Sequence, residues 1–85
     1  MNNTANRAEG ASSHDLERQL ALAEQRYAAA RDATDNARAE LRELISGKAV
    51  SPHLITSART RLDAVAARCR RLRAHIDDLE ERLDI

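Results

Sequence analysis

Apolar positions along the chain recur in alternating steps of four and three. In the first half they fall at Leu16, Leu20, Ala23, Tyr27, Ala30, Thr34, Ala37, Leu41 and Leu44, with Thr34 as the one polar member. In the second half they fall at Ile55, Ala58, Leu62, Val65, Cys69, Leu72, Ile76, Leu79 and Leu83. Such spacing keeps side chains on one stripe of an α-helix, and a sustained seven-residue repeat winds paired helices into a left-handed coiled coil. The pattern predicts an all-α fold of two long helices.

Punctuation between the runs sets the expected bounds. Ser12 with Asp15 fits a capping box, so helix 1 is expected over about residues 13–46. Gly47 suits a left-handed C-cap. Ser51 followed by Pro52 reads as an N-cap and first helical position, so helix 2 is expected over about 52–83. Residues 1–12, MNNTANRAEGAS, hold almost no large apolar side chain, and are expected to form a flexible tail. The connection over 47–51 is short, which folds the helices back antiparallel. Each helix would be about 50 Å long at 1.5 Å per residue.

Folded about that turn, the two stripes complement each other. Leu41 meets Ala58, Ala37 meets Leu62, Ala30 meets Cys69 and Ala23 meets Ile76. Small opposes large in each of these layers, which is how interdigitated side chains fill space. At the open end Leu20 meets Leu79 and Leu16 meets Leu83. Flanking charges agree only in part. Glu24 is expected near Arg73 and Glu40 near Arg61, but Arg38 would approach Arg59 and Glu17 would approach Glu80. Exposed ion pairs contribute about 0–1 kcal/mol each, so the seam outweighs them.

Composition points the same way. A third of the residues are charged, there is one Tyr, and Phe and Trp are lacking, a profile of long helices rather than of an aromatic-centred globule. One seam with Ala at three of nine helix 1 positions is a thin core for 85 residues, and scaffolds of this size commonly need a staple or a partner. Ala21, Leu22, Ala28 and Ala29 form a second, weaker apolar strip on helix 1. The simpler view of these alanines is that they only favour helix. The other is that they let a second hairpin pack closely, giving a homodimeric four-helix bundle. Helix 2 adds outward Ala64, Ala67 and Ala74. Its charges are also segregated: residues 59–75 carry six Arg and one Asp, whereas 76–85 carry five acids and one Arg. Two antiparallel copies of helix 2 would match these blocks.

The stretch AARCRRLRAH raises a nucleic-acid reading. At 100° per residue, however, Cys69 and Leu72 enter the seam and the arginines spread around the helix. Arg68 joins Arg61 on one shoulder, and Arg73 joins Arg59 on the other. Arg70 and Arg71 point outward. The chain has 14 basic and 14 acidic residues, so no global attraction to phosphate exists, and no aromatic side chains alternate with the arginines for base stacking. Shoulder arginines ordinarily cover a seam with their aliphatic stems.

Chemistry is sparse elsewhere. His14, His53 and His75 are too dispersed for a metal site within one hairpin. Cys69 is alone, which excludes an internal disulfide, and its seam position suits a packed, inert thiol. Asp77–Asp78 and Glu80–Glu81 read as a solvated acidic end. No phosphate loop, nucleophile elbow or zinc spacing occurs. No catalytic residue, cofactor or metal is expected. Neither a bilayer-spanning run nor a signal-like leader is evident, so a cytoplasmic address is expected.

In outline the expected hairpin, with its turn SGKAVSP, resembles Rop-type plasmid RNA-binding dimers and the small needle and chaperone proteins of type III secretion. The resemblance is one of architecture. The turn here lacks the double proline of the needle proteins, and no residue carries over. The expected function is a non-enzymatic protein–protein interaction module, an adaptor or regulator acting through self-association and a protein partner. Its candidate interface is Ala21, Leu22, Ala28, Ala29, Arg70 and Arg71. The alternative is a small dimeric nucleic-acid-binding regulator using helix 2 arginines.

Overall fold

In the computed structural model the described residues are 3–47 and 51–84, and of residues 3–12 the backbone alone is described. Lys48, Ala49 and Val50 of the expected turn lie outside the described residues, as do residues 1, 2 and 85. Helix α1 spans Asn3–Ser46 and helix α2 spans Pro52–Arg82. They pack side by side and antiparallel as an all-α hairpin measuring 69 × 20 × 15 Å.

The N-terminus of α2 forms as its residues dictate. Ser51 has extended backbone geometry and its hydroxyl accepts a hydrogen bond from the His53 amide at 3.2 Å, while Pro52 opens the helix. This places an acceptor on an otherwise unpaired first-turn amide. At the other end Leu83 caps the helix, donating to the Leu79 carbonyl at 3.0 Å, and Asp84 takes the left-handed region at φ 59°. Asp is among the few non-glycine residues that enter that region readily.

Two expected boundaries differ. Helix α1 begins at Asn3, not near Ser12, so the backbone of the expected tail is continuous with the helix from that point. Ser12 and Asp15 carry a start signal, but nothing before them forbids helix: Ala5, Ala8 and Ala11 favour it, and Gly10 costs only about 1 kcal/mol relative to Ala. The second difference concerns Gly47. No glycine among the described residues has a positive φ. Gly47 instead closes α1 with its amide, 3.1 Å from the Glu43 carbonyl and 3.2 Å from that of Leu44. The helix therefore ends without the left-handed step that only glycine makes freely.

The seam is asymmetric. Over residues 13–47, the positions withdrawn from solvent are Leu16, Leu20, Ala23, Tyr27, Ala30, Thr34, Ala37, Leu41 and Leu44, and no others. On α2, Ala58, Ile76 and Leu79 are buried, whereas Ile55, Leu62, Val65, Cys69, Leu72 and Leu83 are half-buried. Alanines on α1 bring the helices close; Leu62, across from Ala37, is left half-buried, whereas Ile76, across from Ala23, is enclosed. The best-packed layer lies at the open end, where Ala23, Ile76 and Leu79 form the core cluster with Leu16, Leu20 and Tyr27 against it. Ile76 and Leu79 are the only large side chains there that are fully enclosed, at 2% and 0% exposure. Thr34 keeps its buried hydroxyl satisfied by donating to the Ala30 carbonyl at 2.8 Å, so a polar side chain sits in the seam without an orphaned group.

This asymmetry has a direct consequence for stability. Leu79→Ala is expected to cost about 2–5 kcal/mol, as enclosed leucine truncations do. Leu54→Ala, at an exposed position, should change stability by no more than about 0.5 kcal/mol. Urea unfolding of the two variants, followed by far-ultraviolet circular dichroism, checks the contrast.

Candidate interaction surfaces

Over residues 13–47 and 51–84, helix periodicity assigns the charged side chains to a shoulder of the seam or to an outer face. One shoulder joins the helices as expected, through an ion pair between the guanidinium of Arg61 and Glu40. The opposite shoulder departs from expectation. Arg73 does not pair with Glu24; its guanidinium binds Asp77 one turn on, at 2.9 Å, and lies 5.8 Å from the centre of the Tyr27 ring. Arg31 approaches the same ring at 6.0 Å. Two cations thus flank the chain's one aromatic, within the outer range of cation–π attraction. The reason is local: an aspartate at i+4 on the same helix is reached with less ordering than an acid on the neighbouring helix. Arg38 likewise turns to Asp35, at 3.6 Å, and Arg82 to Asp78, at 3.2 Å.

The candidate strip on α1 is exposed throughout: Ala21, Leu22, Ala28 and Ala29 all face solvent. Leu22 is 45% exposed, and it is joined as an exposed large apolar residue by Ile45 at 54% and Leu54 at 52%. These three do not merge into one patch. Leu22 lies toward the open end. Ile45 follows a seam residue and Leu54 precedes one, which in antiparallel helices turns them to opposite sides of the hairpin.

On α2 the arginine-rich stretch is solvent-facing. Arg68, Arg70, Arg71 and Arg73 are all exposed. Among the described residues, Arg68, Arg70 and Arg71 make no ion pair. Positions three and four residues from Arg70 and Arg71 hold Ala, Arg or His and no acid. Their neighbours Ala64 and Ala74 are exposed. Ala67 is half-buried, as are Ser57, Ala66 and Glu80, four positions that the apolar repeat does not mark. The sequence carried no signal for these four, because small and polar side chains do not announce burial, and Ala67 in particular was expected to face outward.

Groups that might carry chemistry stay apart. His14, His53 and His75 are exposed, and no cluster of three or more metal-binding side chains occurs among the described residues. Cys69 is a free, half-buried thiol in the seam. Among the described residues no helix is long and apolar enough to cross a membrane. Comparison with protein-family models, with curated proteins and with solved structures finds no match to this chain.

The Arg61–Glu40 contact can be measured by itself. A double-mutant cycle with Arg61→Ala and Glu40→Ala should give a coupling no larger than about 1 kcal/mol that shrinks with added salt, since both side chains are about half exposed. A larger, salt-insensitive coupling would show that this pair, rather than the apolar seam, sets the helix pairing.

Proposed function

We propose that this chain is a cytoplasmic, non-enzymatic helical-hairpin module, an adaptor or regulator that self-associates and binds a partner protein. The observation that carries the reading is the incomplete enclosure of its seam. Among the described residues, two helices fully enclose only Ile76 and Leu79 of the large side chains, while Leu22, Ile45 and Leu54 are left in solvent. A second hairpin supplies the missing wall and yields a homodimeric four-helix bundle. The unpaired single cysteine fits a reducing compartment. Against catalysis stands the geometry: two helices sharing one seam offer no third wall for a reaction site.

A second reading follows from the exposed Arg68, Arg70 and Arg71, which have no acid partner among the described residues. Guanidinium groups in that state suit phosphate, and a dimer would present them twice. The hairpin would then be a small nucleic-acid-binding regulator.

Sedimentation equilibrium at micromolar concentrations should show a reversible dimer. A strictly monomeric, fully helical species would remove the self-association. Leu22→Glu combined with Ala29→Glu should leave helix content intact and, if the α1 strip is the contact, weaken the dimer several-fold, because carboxylates then replace apolar contacts there. Titration with duplex DNA and structured RNA at two salt concentrations addresses the second reading. Binding that falls steeply with salt is its signature, and no binding even at low salt eliminates it.

A further inference from the structure

We propose that the second copy docks antiparallel along the outer face of α2, with Ala74 at the two-fold axis; this rests on the self-association proposed above and places its contact on α2 in place of the α1 strip. Opposite the seam, Ala67, Ala74 and Glu81 form a row at seven-residue spacing. One flank of that row carries Arg70 and Asp77, and the other carries Arg71 and Asp78. In an antiparallel pair of identical helices each flank meets its own counterpart. With Ala74 on the axis, Arg70 lies opposite Asp77 of the second copy and Arg71 lies opposite Asp78. The two-fold repeats both pairs, so four ion pairs close around one small residue. A parallel alignment would bring unlike flanks together and set Arg70 against Arg71 and Asp77 against Asp78 of the second copy, so the charges select the orientation as well as the register.

The side chains are in the state this docking requires. Arg70 and Arg71 are exposed and make no ion pair among the described residues. Asp77 uses Oδ1 to hold Arg73 and Asp78 uses Oδ2 to hold Arg82. Each aspartate thus keeps its other oxygen available for a guanidinium from the second copy. The resulting chains, Arg73–Asp77–Arg70 and Arg82–Asp78–Arg71, are networks in which one member of every bridge is already held. Ala74 at the crossing lets the helix axes approach closely, and Ala67 leaves room for the aliphatic stem of Glu81 from the second copy. A nucleic acid fits this face less well, because Asp63, Asp77 and Asp78 interrupt the arginines along it.

The test is a charge swap in the full chain, read by sedimentation equilibrium. Arg70→Asp with Arg71→Asp should weaken self-association at least about tenfold, as should Asp77→Arg with Asp78→Arg, since each places like charges in register. Mixing the two variants in equal amounts restores all four opposite-charge pairs and should restore dimer of wild-type strength. Arg70→Gln with Arg71→Gln, which removes no ion pair among the described residues, should weaken the dimer at unchanged helix content and guards against variants that fail to fold. Wild-type strength for the charge-reversed variants alone, or a mixture that stays monomeric, overturns the docking. A wild-type chain that is itself monomeric overturns both this and the self-association. A dimer weakened by the α1 substitutions but indifferent to those on α2 removes only the α2 face. Variants whose loss tracks binding of added duplex DNA, with no dimer change, assign the arginines to phosphate instead.

Discussion

Everything in this hairpin depends on the close approach of two helices along one seam, and that approach is set by alanine. Ala23, Ala30 and Ala37 on α1 are buried to 3–7% exposure. Small side chains let the backbones near each other and make the remaining dispersion contacts dense. The same smallness limits what is gained. An alanine covers little of a leucine opposite it, so Leu62, across from Ala37, stays half-buried, and Val65 and Leu72, across from Thr34 and Tyr27, are no better enclosed. Close packing and incomplete enclosure are two outcomes of one choice of residue.

The seam was legible because its signal is redundant. Nine positions on each helix obey one repeat, and the two repeats agree with each other in which layers are small and which are large. Single-residue signals were less secure. Ser51 and Pro52 act as their chemistry suggests, since an N-cap acceptor and a ring-fixed φ are local properties. Ser12 has the same chemistry, yet the helix runs through it, because a cap signal marks where a helix is able to start and does not stop one arriving from upstream. Gly47 is permitted the left-handed region but not obliged to enter it, and the structure closes the helix by amide bonds. Ion pairs were the least legible. An exposed arginine chooses among acids within reach at differences well under about 1 kcal/mol, and Arg73 chose Asp77 and the Tyr27 ring over Glu24.

The candidate surfaces raise a different difficulty. A seam is defined by what faces it within one chain, whereas an outer face is defined by what is missing. The repeat predicted that Ala21, Leu22, Ala28 and Ala29 would lie away from α2, and they do. Whether such residues are mere helix formers or contacts depends on a second surface that one sequence does not contain. What the structure adds is the state of the charges. Arg61 and Arg73 are engaged within the hairpin, whereas Arg70 and Arg71 are not. That difference separates the arginines that finish this fold from those left over for something else.

The location of the tightest layer bears on how the chain reaches its native state. Ala23, Ile76 and Leu79 meet at the end of the hairpin farthest from the connection between the helices. Contacts so distant in sequence close a long loop, and loop closure must precede the reward for making them. A chain that zips from its connection closes the buried Leu41–Ala58 layer early and the layer that encloses Ile76 and Leu79 late. The order of closure therefore runs from the layer nearest the connection to the one that encloses Ile76 and Leu79, so the route to the fold ends on its most completely buried side chains.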